Sequence, residues 1–155
     1  MNEEIRQRTK WFMEDRFGMF IHWGLYSIPA CGEWMMSQKE MTIEEYSKYF
    51  DQFDPVDYDP KKWVRLAKKA GMKYVVLTAK HHDGFCLFDS KLTDYKSTNT
   101  KAGRDLVREF VDACREEGLK VGLYFSIIDW HHPDFPKYGD RQHPCLLYTS
   151  PSPRD

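Results

Sequence analysis

Apolar residues in this chain come in three short, dense runs, and each run breaks off into a cluster of polar or protonatable side chains. Tyr74-Val75-Val76-Leu77-Thr78-Ala79 empties into Lys80-His81-His82-Asp83-Gly84-Phe85. Phe17-Gly18-Met19-Phe20-Ile21 ends in His22-Trp23-Gly24, and the run from Lys120 to Ile128 leads into Asp129-Trp130-His131-His132. Apolar, β-branched runs of this length predict strands, and the run at Tyr74 reads as a strand covered on both faces, as in parallel sheets.

Between the runs the period becomes helical. Thr42-Ile43-Glu44-Glu45 is a capping-box pattern opening a short helix through Tyr46, Tyr49 and Phe50. Asp59 and Pro60 supply an N-cap and a first-turn proline, after which Trp63, Leu66, Ala67 and Ala70 recur at helical spacing until Gly71. Leu106, Val107, Phe110, Val111 and Cys114 form a second apolar face closed by Gly118. The order is strand, helix, strand, helix, strand. Tight helix-to-strand turns and long strand-to-helix connections predict an α/β fold, either a (β/α) barrel or a doubly wound sheet. In such folds the site lies past the carboxyl ends of the strands, where the polar clusters fall. The longest connection, from Gly24 to Asp59, is placed to cover a substrate.

Composition narrows the function class. The chain has 155 residues, whereas a complete barrel of this type needs about 250. A net charge of −1 and a pI near 6.6 leave no electrostatic footprint for nucleic acid or anionic membrane. Cys31, Cys86, Cys114 and Cys145 form no CxxC pair, so a zinc knuckle or thioredoxin-type centre is not expected. No glycine-rich phosphate loop follows any strand. The amino terminus lacks the apolar core of a signal sequence and no run reaches the length of a membrane span, so a cytoplasmic location is slightly favoured. No cofactor is called for.

Histidines on an extended backbone point to opposite sides when adjacent, so His81 and His82 read as hydroxyl-binding residues and not as two ligands of one metal ion. The bland alternative for either is a core histidine. Asp83 reads as a group that orients a histidine or caps the turn at Gly84. His22 shares the rim with the other two endings, whereas Trp23 reads as core. Glu33 and Trp34 pair an acceptor with an apolar plate suited to one face of a sugar. Tyr124 alternates with Gly122 and Ser126 on one strand face and should look inward. Lys61, Lys62, Lys68 and Lys69 read as the solvated side of a helix.

Phe17-Gly-Met-Phe-Ile-His22-Trp23-Gly24, Gly32-Glu33-Trp34-Met35, Lys80 to Phe85, and Gly122 to Ser126 with Asp129-Trp130 together resemble the α-L-fucosidases of glycoside hydrolase family 29. The resemblance runs from about residue 11 to residue 144. It implies the amino-terminal portion of a (β/α)8-like, TIM-type catalytic barrel, incomplete in this chain, from a retaining exo-α-L-fucosidase acting on fucosylated oligosaccharides or glycoconjugates. It places the fucose contacts on His22, Trp34, His81, His82 and Tyr124, with Glu33 as a further one. It also implies that the carboxylate nucleophile and the acid/base lie farther along, leaving no catalytic residue here. Residues 1–144 are then a partial barrel, and 145–155, with their Ser-Pro repeat, are expected to be a non-native or disordered tail of a truncated reading frame. Two other classes stay open: a non-catalytic carbohydrate-binding fragment and a metal-dependent barrel hydrolase.

Overall fold

The computed structural model describes residues 2–135; the boundary expected at 144 and the tail at 145–155 lie outside the described residues. Three strands, β1 (Gly18–Ile21), β2 (Tyr74–Lys80) and β3 (Lys120–Phe125), form one parallel sheet in the order β1-β2-β3. Among the described residues five α-helices accompany them: α1 (Glu3–Glu14), α2 (Met35–Gln38), α3 (Ile43–Gln52), α4 (Pro60–Lys69) and α5 (Leu106–Glu117). The chain is therefore α/β with strand and helix alternating, as the period changes predict.

The caps act where the sequence puts them. Thr42 and Glu45 close a reciprocal capping box on α3, Asp59 accepts from the Lys62 N–H at the start of α4, and Asp105 does the same for Arg108 on α5. Gly118 takes the left-handed conformation (φ 71°) that ends α5 and turns the chain into β3.

α4 and α5 pack side by side, with α5 against β2 and β3. Val64, Ala67, Leu106, Phe110, Ala113 and Cys114 join Val75, Leu77 and Ala79 in the core. Full burial of each large apolar side chain there stabilises the fold by roughly 1.5–3 kcal/mol. The face of α4 that does this is not the one spacing alone favours. Leu66 is 67% exposed and Ala70 is exposed, whereas Pro60, Val64 and Ala67 are buried. Both stripes fit a helical period, and the packing of α4 beside α5 selects between them.

The expectation that β2 is covered on both faces fits β2 itself, where Val75, Leu77, Thr78, Ala79 and Lys80 are buried and no residue is exposed, whereas its neighbours are less covered. The register pairs Gly18 with Tyr74 and Tyr74 with Lys120, so as far as the slip between Thr78 and Lys80 even-numbered residues of the three strands share a face and odd-numbered residues share the other. Helices α4 and α5 pack on the odd face, whereas on the even face the Phe12 ring of α1 approaches Tyr74 (6.4 Å between ring centres). On the even face Phe20 is 50% exposed, and Val76 and Gly122 are only half-buried. Glycine is required there. A Cβ at Gly18 would collide with the Tyr74 ring, and one at Gly122 would come within 3.0 Å of the Val76 side chain.

Two further differences concern the ends. The run predicted to continue to Ile128 leaves the strand after Phe125, where the Ser126 N–H donates to the Lys80 carbonyl (2.9 Å). Helix α1 was not anticipated: Asn2 caps it, it buries no residue, and Ile5, Trp11, Phe12 and Met13 stay exposed. Its end is tied to the sheet by an ion pair between Asp15 and Lys120. No helix among the described residues is long and apolar enough to cross a membrane.

Candidate functional site

The even face of the sheet ends in a row of polar and aromatic groups. His22 follows β1 by one residue, and the register carries it alongside Thr78 of β2, which itself pairs with Tyr124 of β3. The His22 ring lies 4.6 Å from Phe20, 5.2 Å from His81 and 5.7 Å from Tyr124 between ring centres. Thr78 fixes the backbone beside it: its hydroxyl accepts from the Trp23 N–H (3.0 Å) and donates to the Trp23 carbonyl (2.6 Å). Trp23 points the other way, stacked on Tyr58 at 4.9 Å and packed against Trp63 and Phe53. The core reading of Trp23 stands.

Beyond β2 the backbone stops being extended, and this reverses one expectation. The rings of His81 and His82 do not diverge; their centres are 4.4 Å apart. The cause is a tight turn in which the Gly84 N–H donates to the His81 carbonyl (3.1 Å) and Gly84 adopts φ 81°. Asp83 builds that turn. One carboxylate oxygen accepts from the Phe85 N–H (3.2 Å) and the other from the Tyr46 hydroxyl (3.2 Å). Asp83 thus caps the turn and orients no histidine. Burial pushes its carboxyl up to about 6.

His81 sits at the centre, in ring contact with His22, Tyr26, His82 and Tyr124, and is 4% exposed. Burial, reinforced by repulsion from His82 and His22, lowers its pKa to about 3. Burial also lowers that of His82, against the opposing field of Glu33. Both imidazoles are therefore neutral near pH 7, each offering one N–H donor and one lone pair. Neutral rings of this kind suit hydroxyl groups better than anions.

Trp34 and Glu33 come from the long first connection. The short helix α2 buries Met35 and Met36 and so holds Trp34 over the site, 4.9 Å from His82 and 5.5 Å from Trp130. Glu33 is half-buried, and its field reaches both His82 and Tyr26. All six expected residues thus gather at the carboxyl edge of the sheet. Phe20, Tyr26 and Ser126 join them without having been anticipated. Phe20 could have been found, because it alternates with His22 on the same strand face.

The carboxylate of Asp129, like that of Asp83, is committed to structure. Asp129 pairs with the buried Lys80 (2.8 Å) and accepts from the His131 N–H (3.0 Å). Lys61 and Lys68 are exposed, as expected for a solvated helix side, and reach Glu116 and Glu117 of α5. Among the described residues no group of three or more His, Cys, Asp or Glu side chains is placed to hold a metal ion.

Comparison with known proteins follows this geometry. The family described as Alpha-L-fucosidase matches residues 1–145. A tissue alpha-L-fucosidase of Rattus norvegicus is 37% identical over 147 residues, covering 84% of this chain and 32% of the relative. Alpha-L-fucosidase isoenzyme 1 from Paenibacillus thiaminolyticus superposes with a TM-score of 0.85 at 64% identity, covering 94% of this chain and 36% of that one. A glycoside hydrolase family 29 α-L-fucosidase from Bacteroides thetaiotaomicron, a covalent intermediate trapped with 2-fluoro-fucosyl fluoride, superposes with a TM-score of 0.76 at 44% identity, covering 81% and 31%. The chain spans about a third of the length of these relatives. On the match across residues 1–145 and the structural agreement, it belongs to the α-L-fucosidase family.

Proposed function

We propose that this chain forms the fucose-binding wall of a retaining exo-α-L-fucosidase, as the first part of a (β/α)8-like barrel acting on terminal α-L-fucosyl residues. The observation that carries the proposal is the convergence of His22, Trp34, His81, His82 and Tyr124, from four separate segments, at the carboxyl edge of a parallel sheet. L-Fucose bears ring hydroxyls and a methyl group in place of a hydroxymethyl. Neutral histidines supply donors and acceptors for the former, and Trp34 with Phe20 supplies apolar surface for the latter. A parallel sheet clad by helices on one face, with its other face carrying the site, fits a segment of barrel wall.

Retaining hydrolysis needs a nucleophile and an acid/base about 5 Å apart across the anomeric carbon. Asp83 is sealed against Tyr46 and Asp129 is bound to Lys80, so neither is free for those roles. In this reading the catalytic pair comes from the part of the relatives' length that the chain does not span. The covalent intermediate trapped in the Bacteroides thetaiotaomicron relative supports retention. For residues 1–155 by themselves the same commitment of Asp83 and Asp129 favours sugar binding without turnover.

The test is to express the chain within a protein of its relatives' full length and assay an aryl α-L-fucoside, with no metal added. Release of L-fucose with the α-anomer formed first is expected. First formation of the β-anomer would overturn retention, and activity lost to a chelator and restored by zinc would favour the metal-dependent reading.

A further inference from the structure

Ser126 lies just past β3 and is 4% exposed. Its hydroxyl oxygen is 2.8 Å from the Ile128 carbonyl oxygen and 2.6 Å from Nδ1 of His82. A serine hydroxyl has one hydrogen to give. A carbonyl has none, so the contact with Ile128 uses that hydrogen. The contact with His82 is then a hydrogen bond only when Nδ1 carries the proton and the serine oxygen accepts. With the proton on Nε2 instead, two lone pairs would face each other at 2.6 Å, or the buried Ile128 contact would be given up.

The rest of the surroundings hold the ring where this matters. The His82 carbonyl accepts from the Trp130 N–H (2.7 Å), Lys80 pairs with Asp129, and the ring is flanked by Trp34 and Trp130. These contacts join the loop after β2 to the loop after β3 on either side of the Ser126 hydroxyl.

We propose that Ser126 is a positioning residue that fixes His82 as the Nδ1–H tautomer, leaving Nε2 as a bare acceptor that requires a donating hydroxyl from the sugar. The sugar half of this statement rests on the fucosidase reading; the tautomer half does not. In consequence His82 discriminates by hydrogen-bond polarity, and it does so through a residue whose own hydroxyl is taken up by Ile128 and His82.

The experiment labels histidine with nitrogen-15 in the full-length protein and records long-range proton–nitrogen correlations above neutral pH. Protonated and bare ring nitrogens are resolved in such spectra, and His82→Gln assigns the signals. A protonated Nδ1 and bare Nε2 are expected in the parent and in Ser126→Thr, with Ser126→Ala moving the proton toward Nε2. With an aryl α-L-fucoside, kcat/KM should fall about tenfold in Ser126→Ala and recover in Ser126→Thr, the loss of one oriented hydrogen bond. A parent His82 protonated on Nε2, or a tautomer unchanged in Ser126→Ala, overturns the proposal. If Ser126→Ala does not fold, the parent and Ser126→Thr spectra decide. An inactive parent whose His82 carries the Nδ1 proton would count against the fucosidase reading alone.

Discussion

Gly84 and Gly118 offer a controlled comparison, because both have positive φ (81° and 71°) and differ in what surrounds them. A Cβ at Gly118 meets nothing within 4 Å, so Gly118→Ala should cost only the left-handed backbone penalty of roughly 1–2 kcal/mol. A Cβ at Gly84 would strike the Asp129 carboxylate and come within 2.9 Å of the His131 Cβ. Relief requires Asp129 to move away from Lys80, leaving a buried ammonium without its partner. Breaking a fully buried pair costs about 3–5 kcal/mol, and Asp129 is partly exposed, so the lower end applies. Gly84→Ala should therefore destabilise by roughly 4 kcal/mol in all, at least twice the cost at Gly118. Denaturant unfolding of the full-length protein measures both. Because Gly84 closes the turn carrying His81 and His82, the same variant should lose kcat/KM on an aryl α-L-fucoside, whereas Gly118→Ala keeps it. Equal destabilisation by the two variants, or unchanged kinetics in Gly84→Ala, would refute the claim that the Lys80–Asp129 pair and the turn form one unit.

His22→Ala and His82→Ala should each lower kcat/KM by about 10²-fold, since each removes a hydrogen-bonding ring from a preorganised site; loss of stability with unchanged kinetics would favour a purely structural role. Leu77→Ala on the odd face should cost about 2–5 kcal/mol of stability, whereas Phe20→Ala on the even face should cost far less and act mainly on KM; denaturant midpoints and steady-state kinetics separate them. A pH series tests the two buried titrating groups. Asp83, raised from 3.8 to about 6, binds its proton more tightly when folded, so its contribution to stability is present at low pH and is lost as pH rises from about 4 to 6. His81, lowered from 6.5 to about 3, contributes fully above 6.5 and loses that contribution as pH falls. The two oppose each other between about pH 4 and 6, so relative to the parent Asp83→Asn should gain stability with rising pH there and His81→Gln should lose it. Identical slopes in both variants would contradict the burial assigned to these groups.

What could be read from the sequence was whatever depends on near neighbours. The caps at Thr42, Asp59 and Gly118 are local patterns and form as expected, and each of the three apolar runs yields a strand, the third ending at Phe125 rather than at Ile128. Helix α1 had a legible start in Asn2 followed by Glu3 and Glu4, but no buried stripe to announce it. The turn that brings His81 beside His82 was not legible. It depends on Tyr46, 37 residues away, holding the Asp83 carboxylate, and on a slip of register between Thr78 and Lys80. The tautomer of His82 depends likewise on Ser126, 44 residues away.

The parity of the register explains why the apolar core and the candidate site draw on alternate residues of these strands. Even positions pair with even across the three strands as far as Thr78 and Tyr124, before the slip that pairs Lys80 with Phe125, so Phe20, Thr78 and Tyr124 form one surface while Val75 and Leu77 form the other. The odd residues Val75 and Leu77 of β2 are buried in the core with Val64 and Ala67 of α4 and Leu106, Phe110 and Ala113 of α5, and they hold the fold. The even surface keeps glycine at positions 18 and 122, where any larger side chain would disturb Tyr74 and Val76. Strands that read as uniformly apolar therefore carry two different constraints on alternate residues. A one-residue slip of β1 against β2 would move His22 and Phe20 from the site to the helix-covered face, and it would also drive Met19 onto Tyr74, where only glycine fits. The same contact that forbids the slip keeps the histidines on one rim.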